Sequence, residues 1–384
     1  MKRTPLHKEH LSAGAIMRDF AGWEMPVQYT SIIEEHMAVR TACGIFDVSH
    51  MGNIIIRGED AANVMDRLTT NDVATASTGK CVYSHILDDE GHILDDVIAT
   101  PIADGEFLVV PNAASTGKVM DWIRSHSSGQ HLTNISDEIA IIAVQGPTAA
   151  SVMAELTTTD LDGIGSFHGA FVMLDALKWT SPPSGPLLGD RLYSGNLGEG
   201  VPAFLSRTGY TGEVGFEIAC ENAAAVSVWR ALLSQGAGHG LQPVGLGARD
   251  TLRLEKGFLL SGTDFDGTQT SLQTGPNWVV KYGHDFIGKK ALERQRSAGG
   301  YARLVGMSML GRGIPRHGYD VVSGTDTVGR ITSGTMSPVL KKGIALGYVS
   351  HNFSEVGTSV RVRVRSALVD AEVVQTPFIR RGQN

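Results

Sequence analysis

Two adjacent carboxylates, Asp95 and Asp96, stand inside an apolar run at 91–100 that reads Gly-His-Ile-Leu-Asp-Asp-Val-Ile-Ala-Thr. The run predicts a β-strand, in which successive side chains point to opposite faces. The two aspartates therefore lie on opposite faces, each between aliphatic side chains two positions away. A buried carboxylate is costly unless it is paired, neutralised or bound to a ligand, so one of the pair is a candidate for chemistry. The local pattern leaves open that one aspartate caps a turn and the other is solvated.

A second candidate is the segment 207–217, which has three glycines at near-regular intervals and then enters a strand. On that strand Glu217 shares its face with Gly215 and Ala219. Such small neighbours leave space over the carboxylate, as a flat ligand would require. The alternative is the solvated face of an ordinary hairpin, and the local pattern does not decide between the two.

Arg249 is a third candidate, in the first turn of a helix that follows the glycine-rich stretch 245–247. A cation at this end is unfavourable to the helix dipole, which indicates another role. An arginine fork can hold a carboxylate or carbonyl with two hydrogen bonds. An ion pair with Asp250 or Glu255 is an equal alternative. Some aromatic residues near these motifs could stack on a ligand ring, although each type is more often core: Trp23, Tyr83, Tyr210 and Trp278.

Other chemistries find no support in the chain. The stretch 283–290 approaches a phosphate-binding loop, but Lys290 stands where a Ser or Thr is needed and no convincing strand precedes it, so we interpret it as a turn that opens a helix. His7 and His10 lack further ligands at metal spacing, and no metal site is predicted. No nucleophile elbow or Ser-His-acid order indicates a hydrolase.

Composition narrows the class of protein. The chain has 384 residues, which predicts two or three domains, and its 42% hydrophobic and 19% charged content is typical of a soluble globular protein. The formal net charge of -7 argues against nucleic-acid binding through a broad basic surface. No apolar run is long enough to span a bilayer, and the basic start lacks the apolar region of a secretory signal. The three scattered cysteines predict no disulfide framework, which fits a reducing compartment.

The first 296 residues alternate helices with strands joined by tight turns, such as Asp88-Asp89-Glu90-Gly91. Tight turns pair strands antiparallel, so the pattern predicts an α+β fold rather than a doubly wound parallel sheet. Strands are predicted at 53–57, 82–87, 93–100, 107–110, 139–144, 171–174 and 216–220, and helices at 61–69, 115–125, 148–156 and 223–234. The Pro-, Gly- and Ser-rich segment 177–201 predicts a long surface loop.

The character of the chain changes near 297–301. After a helix at 290–296, short strands alternate with Gly, Pro, Ser and Asp, and 360–364 reads Val-Arg-Val-Arg-Val, the strict alternation of a half-buried strand. This part predicts a separate all-β module at 302–380, a small barrel or sandwich.

Taken in order, the motifs resemble those of the T-protein of the glycine cleavage system, a tetrahydrofolate-dependent aminomethyltransferase. The resemblance runs from near the N-terminus almost to the C-terminus, and its specificity lies in the ordered set rather than in any one motif. The matching segments are 3–6, 19–26, 46–52, 68–73, 93–96, 145–147, 207–217, 245–250, 331–334 and 376–378.

The resemblance implies an α+β cloverleaf with two antiparallel α+β lobes, 1–52 with 137–280 and 53–136, and a C-terminal β-barrel lobe around a folate channel. It also implies the reaction. The partner, the lipoylated H-protein, carries an aminomethyl group whose methylene is transferred to tetrahydrofolate with release of ammonia. It implies a bacterial cytoplasm, or a mitochondrial matrix for a processed organellar protein.

Site residues are carried over one by one. The family's essential aspartate matches Asp96, with an expected role in holding the reacting folate nitrogens and managing protons. The pterin-binding acid and base match Glu217 and Arg249. The remaining folate-lining positions, which the resemblance alone assigns, fall on Tyr83, Asn112, Tyr210, Trp278 and, in a loop that closes the channel, Met51.

The chain departs from the family's pattern at two places, and two functions other than aminomethyl transfer remain open. His92 replaces a glycine that is usual before the Ile-Leu-Asp-Asp run, and the loop 177–201 is longer than expected of the family. One rival is a folate-dependent demethylase of the same superfamily. The other is a non-catalytic folate-binding protein that assists iron–sulfur assembly, but the chain lacks the cysteine of that group's motif at Arg207-Thr208-Gly209-Tyr210. The oligomeric state, the polyglutamate preference and the purpose of the loop do not follow from the sequence.

Overall fold

A computed structural model describes residues 1–128, 130–178, 185–188, 200–380 and 382. Most of the predicted loop 177–201 lies outside these described residues. The chain forms two compact units. Unit 1 comprises Met1–Asp66, Asp72–Tyr83 and Val97–Arg249, and unit 2 comprises Arg67–Asn71, Ser84–Asp96 and Asp250–Asn384.

The elements are numbered in chain order over the described residues. The strands are β1 (Ile16–Phe20), β2 (Trp23–Gln28), β3 (Cys43–Asp47), β4 (Ile54–Arg57), β5 (Val82–Leu87), β6 (Ile93–Ala103), β7 (Glu106–Pro111), β8 (His131–Asn134), β9 (Ile139–Gln145), β10 (Gly169–Leu174), β11 (Val201–Ser206), β12 (Gly215–Glu221), β13 (Leu241–Pro243), β14 (Arg303–Met309), β15 (Asp320–Ser323), β16 (Asp326–Ser337), β17 (Lys342–Val349), β18 (Ser359–Val364) and β19 (Ala367–Val374).

The α-helices are α1 (His7–Ser12), α2 (Ile32–Thr41), α3 (Ala61–Leu68), α4 (Thr116–Ser125), α5 (Ala149–Ala154), α6 (Asn222–Gly236), α7 (Leu246–Glu255), α8 (Ser271–Thr274) and α9 (Lys289–Ala298). Short 3₁₀ turns lie at Ala113–Ser115, Ala237–His239, Asn277–Val279 and His351–Phe353. In the part of the chain that is described, no helix combines the length and the apolarity needed to cross a membrane.

A six-stranded sheet organises unit 1, with strand order β10-β11-β12-β9-β3-β13. Its neighbours pair antiparallel except β13 and β3, which are parallel. On β12 the residues Phe216, Ile218 and Cys220 are fully buried in the core cluster that also contains Val228 and Leu232 of α6. Each such side chain contributes about 1.5–3 kcal/mol when fully buried. Because the face alternates along a strand, this burial turns Glu217 to the opposite side of the sheet, as predicted.

A second sheet has the order β5-β6-β7-β4-β8. Strand β6 is continuous from Ile93 to Ala103, and its first four residues belong to unit 2. The predicted turn precedes it, with Gly91 in the left-handed region (φ +84°) and the carboxylate of Asp88 accepting from the backbone N–H of His92. His92 is thus accommodated in the turn that the family's usual glycine would occupy. The strand and the hairpin are as predicted.

The C-terminal strands close into a barrel with the order β14-β17-β16-β15-β18-β19. The alternating run on β18 buries Val360 and Val362 inside the barrel, where they pack with Met307 and Ile331. The α+β class with a C-terminal antiparallel barrel is therefore confirmed. The division of the first 296 residues into two lobes stays a prediction.

Two element boundaries differ from expectation. Helix α4 begins at Thr116, but neither Ser115 nor Thr116 caps it through a side chain, because the Thr116 hydroxyl donates back to the carbonyl of Asn112 at 3.1 Å. Helix α5 is shorter than the predicted 148–156. The cysteines are buried and free, and burial raises the pKa of Cys43 and of Cys220 to about 12, so they serve as small apolar residues.

Unit 2 contains a buried neutral histidine, His85 on β5. Its Nδ1 lies 2.8 Å from the hydroxyl of Ser271, and burial lowers the pKa of the imidazole to about 3. The unfolded chain would protonate this group below about pH 6.5, whereas the folded chain would not. The resulting stability is present above pH 6.5 and is lost as the pH falls toward 3.

We expect the free energy of unfolding to fall by about 2 kcal/mol between pH 7 and pH 5 because of His85 alone. In His85→Asn, whose amide can replace Nδ1 toward Ser271, that contribution should disappear. Urea unfolding at pH 5, 6 and 7 measures the difference in pH dependence between the two proteins. Equal dependence in both would contradict a neutral buried imidazole.

Candidate functional site

In unit 1, Glu217 lies on β12 opposite Ser206 of β11 and Ala143 of β9. Its carboxylate accepts a hydrogen bond from the Thr208 hydroxyl, which in turn lies 2.7 Å from the hydroxyl of Ser206. Because Thr208 uses its proton toward Glu217, Ser206 donates to Thr208. The chain of hydroxyls fixes one side of a half-buried carboxylate and leaves its remaining lone pairs for another donor.

One buried side chain, that of Gln145, explains two of the three glycines of the segment 207–217, and the third, Gly212, has a left-handed backbone conformation (φ +75°). A Cβ atom on Gly209 or Gly215 would come within 1.9 or 2.3 Å of the Gln145 amide. The amide nitrogen donates to the carbonyl of Thr208 at 3.1 Å, and its oxygen accepts from the Thr211 hydroxyl at 3.1 Å. Gln145 therefore holds the loop that precedes Glu217. The sequence carried only a weak signal for this role, the Gln-Gly-Pro motif at 145–147.

A buried arginine supports the same loop from α2. Arg40 donates to the carbonyl of Thr211 at 2.8 Å and to the carboxylate of Glu213 at 2.7 Å, and the side chains of Arg40 and Glu213 are almost inaccessible. Removing one partner of such a buried ion pair leaves the other charge unpaired and destabilises the fold by about 3–5 kcal/mol. Sequence reasoning missed Arg40, since its partners lie about 170 residues away.

Arg249 lies beside Tyr210, with its guanidinium carbon 4.6 Å from the centre of the ring. Its Nη1 is buried and has no hydrogen-bond partner among the described residues. Burial lowers the pKa of Arg249, while the nearby charge of Glu217 favours the cation. In the structure Asp250 pairs with Arg253 instead, at 2.8 Å, which weakens the alternative of an ion pair within the helix. A buried donor without an acceptor needs an explanation, and a bound ligand would supply one.

His50 lies close enough to Arg249 for their charges to interact. Burial, with Arg249 as the next cause, lowers the pKa of His50 to about 4, so the imidazole is neutral at physiological pH. Its Nδ1 is buried without a partner among the described residues, and its ring packs edge-on against Phe20 at 5.3 Å. His50 stands in the matching motif at 46–52, but no local pattern around it distinguishes it from the other histidines. Unit 1 thus contains a buried unsatisfied atom on each of His50 and Arg249.

A buried network surrounds Asp47, the last residue of β3, three positions before His50. His10 Nε2 lies 2.8 Å from the Asp47 carboxylate, the Thr4 hydroxyl donates to it at 2.6 Å, and the backbone N–H of Ser49 donates at 2.9 Å. Burial by itself would raise the pKa of Asp47, but these hydrogen bonds and the charge of His10 hold it below its usual range. The network fixes the turn that leads to His50 and Met51.

Unit 1 contains three other predicted positions: Met51, Asn112 and Tyr83. The backbone N–H of Gly52, next to Met51, donates to the carbonyl of Pro111 at 3.0 Å, so the Met51 loop lies alongside Asn112. A Cβ on Gly52 would collide with Thr116, which shows how closely the segments approach. Tyr83 is half-buried on β5.

The remaining predicted residues belong to unit 2. Burial alternates along β6, so that Asp95 is fully buried with Ile93 and Asp96 is half-buried on the other face. The Ser261 hydroxyl donates to Asp95 at 2.8 Å. Asp95 is therefore the carboxylate held among apolar side chains, and Asp96 is the more accessible one. The Trp278 side chain is 54% exposed, in keeping with a surface that a ligand could cover rather than with core.

Family models match nearly all of the chain. The GCVT N-terminal domain matches residues 6–175 and 194–284, and the glycine cleavage T-protein C-terminal barrel domain matches residues 303–379. The second match covers the strands of the observed barrel.

Curated relatives match over full length. The aminomethyltransferase of Halothermothrix orenii is 42% identical over 381 residues, covering 99% of this chain and 100% of that protein, and the one of Bacillus subtilis is 39% identical, covering 99% and 100%. The crystal structure of glycine cleavage system aminomethyltransferase T from Bartonella henselae superposes with a TM-score of 0.87 at 29% identity, covering 99% of this chain and 98% of that one. The chain therefore belongs to the aminomethyltransferases of the glycine cleavage system, the T-proteins, an enzyme family that uses tetrahydrofolate as co-substrate.

Proposed function

We propose that this chain accepts the aminomethyl group of a lipoylated H-protein and transfers its methylene to tetrahydrofolate. In that reaction the carbon–sulfur and carbon–nitrogen bonds of the aminomethyl group break, and two carbon–nitrogen bonds form to N5 and N10 of the folate. The two protons that leave N5 and N10 end on the dihydrolipoyl sulfur and on ammonia. The observation that carries the proposal is the environment of Arg249. Its guanidinium lies over the Tyr210 ring, its buried Nη1 has no hydrogen-bond partner among the described residues, and the nearby charge of Glu217 favours its cation.

We assign Glu217 and Arg249 to the pterin end of the folate. The aminopyrimidine edge offers adjacent N–H donors, which suit a carboxylate that already has one side fixed by Thr208. A carbonyl oxygen on the same ring would satisfy the buried Nη1 of Arg249. Tyr210 offers its ring to the pterin face, and Tyr83, Asn112, Met51 and Trp278 remain assigned to the folate by resemblance.

Asp96 is proposed as the catalytic residue. A carboxylate that is half-buried, next to a fully buried one, can both hold the folate nitrogens and accept or return a proton. It does not need to be a nucleophile, since the folate nitrogens attack the methylene carbon. Asp95, held by Ser261, remains in a structural role.

The test is a paired assay with aminomethyl-lipoyl H-protein. Formation of methylenetetrahydrofolate and release of ammonia would be followed together, with and without tetrahydrofolate. Folate-dependent appearance of both products at equal rates is the expected result. Turnover of a methylated thio- or oxo-compound instead would favour the demethylase, and folate binding without turnover of any donor would favour the non-catalytic folate protein.

We place the reaction in a bacterial cytoplasm. The relatives named above are bacterial, which supports this location over a mitochondrial matrix.

A further inference from the structure

Unit 2 contains a buried carboxylate, Asp264, that ties a turn to the barrel. Its Oδ2 accepts from Arg253 at 2.7 Å, and its Oδ1 accepts from the Ser333 hydroxyl at 2.7 Å and from the Thr332 hydroxyl. Its backbone carbonyl accepts from the Tyr348 hydroxyl at 2.7 Å. Thr332 and Ser333 lie on β16 and Tyr348 lies on β17, so both strands donate hydrogen bonds to Asp264. This set of hydrogen bonds far exceeds what an ordinary surface turn requires.

The turn that contains Asp264, residues 260–265, is compact. The backbone N–H of Leu260 donates to the Asp264 carboxylate at 2.9 Å, and the N–H of Asp264 donates back to the carbonyl of Leu260 at 2.8 Å. The N–H of Gly262 donates to the carbonyl of Phe265 at 2.8 Å, and Phe265 is buried. Ser261 therefore projects from a turn whose two ends are both fixed.

Ser261 is the contact between this turn and strand β6. Its hydroxyl donates to Asp95 at 2.8 Å. The following segment adds a second tie, since the carbonyl of Gln269 accepts from the backbone N–H of Ile93 at 2.8 Å. The first residues of β6 are thus hydrogen-bonded to a segment that the barrel strands hold in place, and all of these residues belong to unit 2.

The position of Asp96 depends on that of Asp95. The Cα atoms of adjacent residues are about 3.8 Å apart across a rigid peptide plane, so a displacement of one is passed to the other. Displacement by about 1 Å at a reacting group lowers rates on the order of a hundredfold. A donor that fixes a fully buried neighbour can therefore affect the chemistry without touching a substrate.

We propose that Ser261 is a positioning residue for Asp96, acting through Asp95, and that Asp264 anchors Ser261 to the barrel. The inference rests on the proposed function, because it takes Asp96 as the catalytic group. It gives the C-terminal barrel a part in the reaction that involves no contact with the reacting atoms.

The first test compares Ser261→Ala with Ser261→Thr. Ser261→Ala removes the donor, and we expect kcat to fall on the order of tenfold while KM for tetrahydrofolate stays within about twofold. Ser261→Thr keeps a hydroxyl on the same turn and should restore kcat to within about threefold of the parent. Ser359→Ala, an exposed serine on β18, is the matched control and should leave both constants unchanged.

Two further variants separate the possible failures. Thr332→Val removes one hydrogen-bond donor to Asp264 and leaves the ion pair of Asp264 with Arg253 in place. It should lower kcat, as Ser261→Ala does. Normal kcat in Ser261→Ala overturns the inference, and so does a loss of kcat that Ser261→Thr fails to restore. If Asp96→Asn lowers turnover while Ser261→Ala does not, the proposed function stands and only the positioning role is lost. If Asp96→Asn is fully active, Asp96 is not the catalytic residue, and the positioning role of Ser261 fails with that assignment.

Discussion

Asp96→Asn is expected to lower kcat by a factor of roughly 10²–10⁴, the range that a positioned general acid or base contributes. The asparagine keeps the size and most hydrogen-bonding geometry of the side chain but cannot accept a proton. Since Asp96 is half-buried on the face of β6 opposite Asp95, the substitution leaves the fully buried carboxylate of Asp95 unchanged. Folate affinity, measured by calorimetry, should change by less than about threefold.

The matched control for this prediction is Asp89→Asn in the turn of the same hairpin. Asp89 is exposed, so the same chemical change there should alter neither kcat nor stability. Both variants should unfold at the same urea concentration as the parent. Turnover by Asp96→Asn within about threefold of the parent would remove Asp96 from the mechanism.

Glu217→Gln should weaken tetrahydrofolate binding by on the order of 10- to 100-fold, as expected when a charged hydrogen-bond partner becomes neutral. Glutamine keeps the length of the side chain and can still accept from Thr208, so the loop should remain in place. What it loses is the charge that favours the nearby Arg249 cation and the second acceptor for the pterin N–H groups. The effect should appear in the dissociation constant more than in kcat at saturating folate.

Calorimetry with Glu217→Gln and with Glu138→Gln measures this prediction. Glu138 is exposed in the same unit and provides the control for the change of net charge. An unchanged dissociation constant in Glu217→Gln would assign the pterin to another part of unit 1.

The strands that could be predicted are those whose burial follows a simple period. The period of two along a strand places Asp95 and Asp96 on opposite faces of β6. It also places Glu217 opposite Phe216 and Ile218, and it buries Val360 and Val362 on one face of β18. The α+β class could be predicted for the same reason, because the tight turns between these strands require antiparallel pairing.

The supporting residues could not be predicted, because their partners are distant in the chain. Gln145 contacts a loop more than 60 residues away, and Ser261 contacts a strand 166 residues away. A single sequence has no local pattern that reports such contacts. Long-range packing also decides which face of β6 is buried, so only the structure shows that Asp95 rather than Asp96 is the fully buried carboxylate. The long surface loop predicted at 177–201 stays a prediction, because most of that segment lies outside the described residues.

Unit 2 is assembled from three separate stretches of chain, and this has a consequence during synthesis on the ribosome. At about 5–20 residues per second, Asp264 emerges roughly 10–30 s after Asp95. During that interval Asp95 has been synthesised, but Ser261, which donates to it, and Asp264, which anchors Ser261, have not. A premature stop codon at any position from 250 to 261 would yield a polypeptide that keeps the proposed pterin-binding residues Glu217 and Arg249 but lacks Ser261 and Asp264.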